Sequence, residues 1–214
     1  MNNTENTANN NGYDYVDLGL PSGTLWATMN VGASKPSDAG LYFQWGDTKG
    51  YTADQIGTSE GKKEFASDWS DYKWGKVQDF KKYSTSCEIL DLEDDAAHVN
   101  MGGSWHMPSS EQIRELVANT TRKWIALDGV SGMAFTSKKD NSKSIFIPAA
   151  GCTLDGCVVL SHRGGYIWSC MLSKNFVNKS QSLYLDSRCT GYGCGFRCDG
   201  RTIRGVVAYN RYGK

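Results

Sequence analysis

Three groups of side chains in this sequence could do chemistry. They are seven cysteines, three histidines, and a stretch near the C-terminal end where arginine and tyrosine alternate with glycine. The cysteines are Cys87, Cys152, Cys157, Cys170, Cys189, Cys194 and Cys198. None forms a Cys-x-x-Cys pair, and Cys189, Cys194 and Cys198 lack the tight ligand pairs of structural zinc sites. An odd count leaves a thiol unpaired unless it pairs between chains. His98, His106 and His162 have no motif partner, so no nucleophile–base constellation can be assembled. Asp94 and Asp95 are adjacent and point to different sides of a helix, which predicts a solvated helix start whose acids complement the dipole. No catalytic residue, metal ligand or cofactor is expected, and the chain reads as a non-enzyme.

From Arg188 to Arg201 the sequence runs Arg-Cys-Thr-Gly-Tyr-Gly-Cys-Gly-Phe-Arg-Cys-Asp-Gly-Arg. Rigid aromatic area and forked donors separated by glycine are the chemistry of contact surfaces. A Gly-rich hairpin whose aromatics merely pack down fits the composition equally well. From Ser180 onward five Arg and one Lys stand against two acids, Asp186 and Asp199.

These residues need a scaffold, and the pattern supplies one. Residues 1–12 are polar and predict a disordered tail, followed by a single domain over 13–214. Tyr13–Leu18 and Thr24–Val31 alternate as strands do, and Leu41–Trp45 is a short apolar run. Residues 46–86 form a long insertion carrying Trp69, Tyr72 and Trp74, aromatics dense enough to pin it to the core. A short helix is expected over Glu93–Asn100, opened by Asp91. A second begins at Ser109, with Gln112 three residues on as a capping box, and ends at Asn119-Thr120-Thr121. Strands follow at Lys123–Leu127, Met133–Ser137, Ser144–Ala149, Gly165–Cys170, Ser182–Asp186 and Ile203–Tyr209. Helices early and antiparallel strands late make an α+β domain.

Composition narrows the partners. The 214 residues are 39% hydrophobic and 12% aromatic, enough for a substantial core. Lys plus Arg equal Asp plus Glu at 23 each, which argues against nucleic acid. No run approaches a membrane span, and the first residues carry no signal-peptide pattern.

Several blocks resemble a known family. Tyr15-Val16-Asp17-Leu18-Gly19-Leu20-Pro21-Ser22-Gly23-Thr24-Leu25-Trp26-Ala27-Thr28 is similar to the opening of the Fibrobacter succinogenes major paralogous domain group, abundant in gut Bacteroidetes. The likeness continues through Asn30–Ala33, Tyr42–Gly46, Asp94–Ala97, Gly102–Pro108, Ile145–Gly151, Trp168-Ser169, Leu183–Ser187 and Ile203–Val206. It implies a C-type-lectin-like fold with two helices, mostly short antiparallel strands, and first and last strands brought together. The family's usual Arg-Pro-Val ending has Gly205 in place of proline, a small departure expected to leave the fold intact. Trp26, Trp45, Trp105 and Trp168 fall in the matched blocks and read as core anchors. The calcium-lectin signatures Glu-Pro-Asn and Trp-Asn-Asp do not occur, so binding is expected to be calcium-independent. Gly102-Gly103-Ser104-Trp105 resembles a motif of the formylglycine-generating enzymes, which share this fold. Those enzymes need a reactive cysteine pair that cannot be placed here.

Some domains of this fold, including relatives of this group, are diversified by retroelements that turn AAC-type codons into NNC codons. NNC codons cannot encode Lys, Glu, Gln, Met or Trp, and none of these occurs in the fourteen residues from Arg188 to Arg201. These types make up roughly a fifth of ordinary usage, so their chance absence there is about one in twenty. The resemblance thus implies a variable binding surface at Tyr166, Tyr184, Asp186, Arg188, Thr190, Tyr192, Phe196, Arg197, Asp199 and Arg201. The expected partner is a protein or glycan on a cell or phage surface. A structural or adhesin-like surface protein without diversification is the alternative, and a formylglycine-generating-type relative a distant one.

Overall fold

An Asn-Gly pair turns the chain back near the start of the described residues. Strands β1 (Ala8–Asn10) and β2 (Tyr13–Val16) form a hairpin whose two turn residues, Asn11 and Gly12, have φ of 52° and 82°. Positive φ at both central residues is the mirror-image turn whose twist suits paired strands. The computed structural model describes residues 8–56, 64–65, 67–70, 72–85, 88–154 and 156–207. The expectation of a disordered tail over 1–12 is therefore corrected from Ala8 onward, and residues 1–7 lie outside the described residues. Asn10 Nδ2 donates to Ser104 Oγ at 2.8 Å, Asn11 Nδ2 to Met101 O at 2.5 Å, and Trp105 Nε1 to Asn10 O at 2.8 Å. Polar residues thus dock where no hydrophobic pattern announced it.

Strand β3 (Leu25–Ala27) follows. The described residues of the insertion include a 3-10 turn (Ala53–Gln55) and a two-stranded hairpin, β4 (Gly75–Lys76) and β5 (Asp79–Phe80). Its aromatics do pin it. Tyr72 Oη donates to Trp45 O at 2.8 Å, and Trp74 Nε1 to Gly46 O at 3.0 Å.

Asp91 precedes a 3-10 turn (Leu92–Asp94), and Asp95 caps helix α1 (Ala96–Met101) by accepting from His98 N at 3.0 Å. The acids are not solvated as the sequence reading had it. Asp94 is 2% exposed and Asp95 is fully buried. Asp95 also accepts from Met107 N at 3.0 and 2.9 Å, and Asp94 from Tyr83 Oη at 2.7 Å. Burial is offset because each carboxylate is multiply hydrogen-bonded.

Helix α2 (Ser110–Asn119) carries the expected capping box. Gln112 N donates to Ser109 Oγ at 3.2 Å and Ser109 N to Gln112 Oε1 at 2.7 Å. Strand β6 (Thr120–Leu127) starts directly at its end, three residues earlier than the pattern suggests. It pairs with β7 (Val130–Ser137) across Asp128-Gly129, and β7 with β8 (Ser144–Pro148). The small hairpin β9 (Cys152–Leu154) and β10 (Cys157–Val159) leads into β11 (Gly164–Leu172), β12 (Lys179–Asp186), β13 (Thr190–Phe196) and β14 (Val206–Val207). The described residues are thus mostly antiparallel strands with two α-helices, an α+β arrangement.

The last of these strands returns to the first ones. β14 pairs with β3, giving the sheet order β1-β2-β3-β14. Trp26, Trp45, Trp105 and Trp168 are all fully buried. Trp45, Trp105 and Trp168 share one apolar cluster with Leu90 and Ile203. Trp26 belongs to a second, with Ile113, Leu116, Phe135, Leu183 and Val206. Gly205 has a physical role: a Cβ there would stand 2.6 Å from Met101 Sδ and 3.1 Å from Trp105. Beside it, fully buried Arg204 donates to Asn30 Oδ1 and to the carbonyls of Ala27 and Phe146, each at 2.9 Å. Burial lowers its pKa to about 9.

Candidate binding surface

Seven of the ten expected contact residues lie in the sheet of β11, β12 and β13, in that order, or in the turn that joins its last two strands. Its register aligns Tyr166 with Tyr184 and Tyr184 with Gly191, and aligns Trp168 with Ser182 and Ser182 with Gly193. Directly paired residues share a face. Tyr166, Tyr184, Gly191 and Gly193 therefore occupy one side, while Leu183, Leu185 and Ile167 point to the core on the other. The two tyrosine rings lie 5.3 Å apart at 40° and are half-buried. A Cβ added at Gly191 or Gly193 meets nothing within 4 Å, so the strip beside the tyrosines is open.

Asp186 closes the hairpin between β12 and β13. Its Oδ1 accepts from the amides of Arg188 and Cys189, both at 2.7 Å, and its Oδ2 accepts from Tyr184 Oη. The tyrosine hydroxyl and the two amides hold the Asp186 carboxyl at about pKa 2. The same carboxylate, followed by burial, pushes the Tyr184 phenol upward. Arg188 is exposed at the hairpin tip.

Three of the expected contact residues are placed elsewhere. Arg197 is 0% exposed, Arg201 6% and Asp199 8%, so none presents a contact surface. Arg197 Nε donates to Tyr72 Oη at 2.8 Å. Its Nη1 donates to Tyr83 O at 2.8 Å and Val177 O at 3.1 Å, and Nη2 to Lys82 O at 3.1 Å. The guanidinium also stacks 4.2 Å from the Phe80 ring centre and 5.1 Å from that of Trp45. It clamps the insertion onto the sheet. Arg201 lies over Trp168 and Tyr166, at 4.4 and 5.0 Å, donates to Ser182 Oγ at 2.5 Å, and pairs with Asp199 at 3.8 Å. Burial depresses the pKa of both arginines. Gly195 makes room for this: its Cβ would fall 1.8 Å from Arg201 Nη2.

Thr190, Tyr192 and Phe196 form a different row. They pair with Leu185, Leu183 and Lys179 and so stand on the helix side of the sheet, opposite the Tyr166–Tyr184 face. Tyr192 is 59% exposed with Arg114 of α2 at 4.9 Å from its ring centre, and Phe196 is 40% exposed with Lys179 at 4.8 Å. The ten residues expected to make one surface are thus divided by strand parity and burial.

Comparisons with family models, curated proteins and solved structures give no match.

Two other groups could do chemistry. Asp91, Glu93 and Asp94 bring carboxylate oxygens within 4.8 Å of one another. Lys82 Nζ already sits among them, at 2.8, 3.1 and 2.6 Å, and serves as their cation. Among the described cysteines, Cys170 and Cys198 are buried, Cys152 and Cys157 half-buried, and Cys189 and Cys194 exposed. Cys87 lies outside the described residues. Arg114, Lys179, Gly191 and Gly193 were missed in the sequence, because only the strand register reveals what they border.

Proposed function

We propose that the chain is a non-catalytic C-type-lectin-like binding module that meets a protein or glycan ligand, without calcium, on the face of β11–β13. The observation that carries this reading is the half-buried Tyr166–Tyr184 pair beside the open strip over Gly191 and Gly193. Aromatic area at low entropy cost, standing on a rigid sheet, is the usual material of a paratope. The fold assignment is supported by the sheet that joins the early and late strands, by helices preceding the strand-rich half, and by four buried tryptophans.

Retroelement diversification belongs to the same proposal, with a narrower territory. Varied side chains at Tyr166, Tyr184, Arg188, Gly191 and Gly193 would leave the core intact, whereas Asp186 beside them holds the hairpin turn and should tolerate less change. Arg197, Asp199 and Arg201 hold the molecule together and should stay fixed. A template repeat and reverse transcriptase beside the gene, with substitutions confined to that set, are the expected finding. Their absence would leave the binding reading standing without diversification.

The binding test uses labelled protein on a printed glycan array and against a random-peptide display library, both in chelator. Selected probes should lose at least about tenfold in affinity for Tyr166→Ala/Tyr184→Ala, as expected for aromatic hot spots. Probes that bind the double variant as well as the parent chain would refute this face as the site.

A further inference from the structure

We propose that β13 is also a self-association edge, on which a second copy of this chain pairs antiparallel about a two-fold axis through Cys194. The inference is independent of the ligand reading, since it concerns the strand's outer edge rather than the sheet face.

The first observation is the outer hydrogen-bonding edge, which no described backbone group occupies at Tyr192 and Cys194, while the Phe196 carbonyl at its end accepts from Asp199 N at 2.9 Å. β13 ends the sheet, and its outer side has no strand partner among the described residues. The inner ladder is bracketed by Asp186 N donating to Cys189 O at 2.9 Å and Arg197 N donating to Asn178 O at 3.1 Å. Antiparallel pairing alternates inward and outward residues. The odd-numbered residues from 189 to 197 thus face β12, and the N–H groups of Tyr192, Cys194 and Phe196 point outward.

The second is thin edge protection among the described residues, where Trp69 of the insertion stands edge-on 6.3 Å from Phe196 at the strand's end. Natural edges carry lysine, proline, a bulge or a cover. Thr190–Phe196 contains no charge and no proline, and its register with β12 runs without a bulge.

The third is self-complementarity, which selects the occupant. Read in either direction from Cys194, the strand gives glycine and then an aromatic: Gly195 and Phe196 one way, Gly193 and Tyr192 the other. An antiparallel copy centred there sets Cys194 against Cys194 of the second copy and each Tyr192 against a Phe196. Aromatic cross-strand pairs are favourable, and an isologous interface requires such a self-matching pattern. Both rings are among the exposed large hydrophobics of the molecule. The glycines fall on the opposite side and offer no obstruction.

Directly opposed residues in a hydrogen-bonded antiparallel pair have Cα atoms about 5.5 Å apart, within disulfide reach. This supplies the test. Sedimentation velocity of the reduced full chain at rising concentration should show a monomer–dimer equilibrium. Brief treatment with diamide should then give a covalent dimer on a non-reducing gel. Two thiols lose two electrons and two protons, the sulfurs join, and diamide is reduced to the hydrazine. Cys194→Ser should abolish that band while Cys189→Ser keeps it. Tyr192→Lys, which adds an edge lysine and removes the aromatic pair, should raise the dimer dissociation constant by about tenfold or more, with an unchanged far-ultraviolet spectrum. A chain monomeric at every concentration, a crosslink that survives Cys194→Ser, or a dimer indifferent to Tyr192→Lys would each overturn the proposal. A Tyr192→Lys chain that is unfolded is replaced by Tyr192→Thr, a good strand former, with the same outcomes required.

Discussion

Arg188–Phe196 and Arg197–Arg201 share a residue alphabet and have opposite fates. The first is a hairpin tip and an open edge strand, with Arg188, Tyr192 and Cys194 exposed. The second is interior, and its two arginines serve as clamps. What separates them is what lies alongside. Among the described residues β13 has a strand neighbour on one edge only, whereas the following residues are held by main-chain bonds to the strand-like run at Phe43–Trp45. Trp45 N donates to Arg197 O at 2.9 Å, and Arg201 N to Phe43 O at 3.0 Å. An arginine in an Arg/Tyr/Gly stretch is therefore a contact residue or a structural tie according to the element opposite it.

The sharpest way to break this comparison is at the arginines. Arg197→Ala should cost about 3–5 kcal/mol, because it strands buried acceptors and leaves a void between Phe80 and Trp45. Arg188→Ala should change stability by about 0.5 kcal/mol or less, as exposed positions do. Urea denaturation of both variants checks the contrast, and limited proteolysis should show the insertion opening only in Arg197→Ala. Lysine at 197 should not restore stability, since it has neither the fork nor the planar face.

A smaller effect separates glycines two residues apart. Gly195→Ala drives a methyl group into the Arg201 guanidinium and should destabilise by about 1–3 kcal/mol. Gly193→Ala meets open space and, by restricting the unfolded chain, should be neutral or stabilising by up to about 1 kcal/mol. Equal losses at both positions would mean that Arg201 does not lie across the strand. Thermal melts suffice to tell.

The smallest effect concerns the hairpin turn and pH. Asp186 has a folded-state pKa of about 2, below the usual value of about 3.9. A depressed carboxyl contributes order that is fully present above the unfolded pKa and is lost as pH falls through the folded one. The turn should stay intact at pH 4 and loosen as pH drops toward 2. The Arg188 and Cys189 amide resonances should titrate with that midpoint. In Tyr184→Phe, which removes the hydroxyl donor, the midpoint should move upward.

Much of the scaffold was legible in one dimension. The Ser109–Gln112 capping box depends on residues three apart, so local sequence suffices to place α2. The four tryptophans read correctly as core because they fall in the blocks that resemble the family and are the side chains with most apolar area to bury. Asn11-Gly12 is turn chemistry, but it sits in a polar stretch that reads as a disordered tail, because the apolar alternation that flags strands is missing there. Asp94 and Asp95 read as solvated because carboxylates usually are. Their burial depends on Lys73, Lys82, Tyr83 and the Met107 amide, which arrive from other parts of the chain.

The surface was legible only as a list of residues. Sequence by itself determined that arginine, tyrosine and glycine would be concentrated near the C-terminal end, and that no catalytic or zinc-ligand motif accompanies them. Tertiary structure alone decided that Tyr166 and Tyr184 share a face, that Tyr192 and Phe196 take the reverse side, and that Arg197 and Arg201 are interior. The physical reason is register. Strand parity sends alternate residues to opposite faces, and the parity that matters is fixed by pairing between segments distant in the chain. Burial then follows from which of those segments crosses over the sheet, a relation no local pattern encodes.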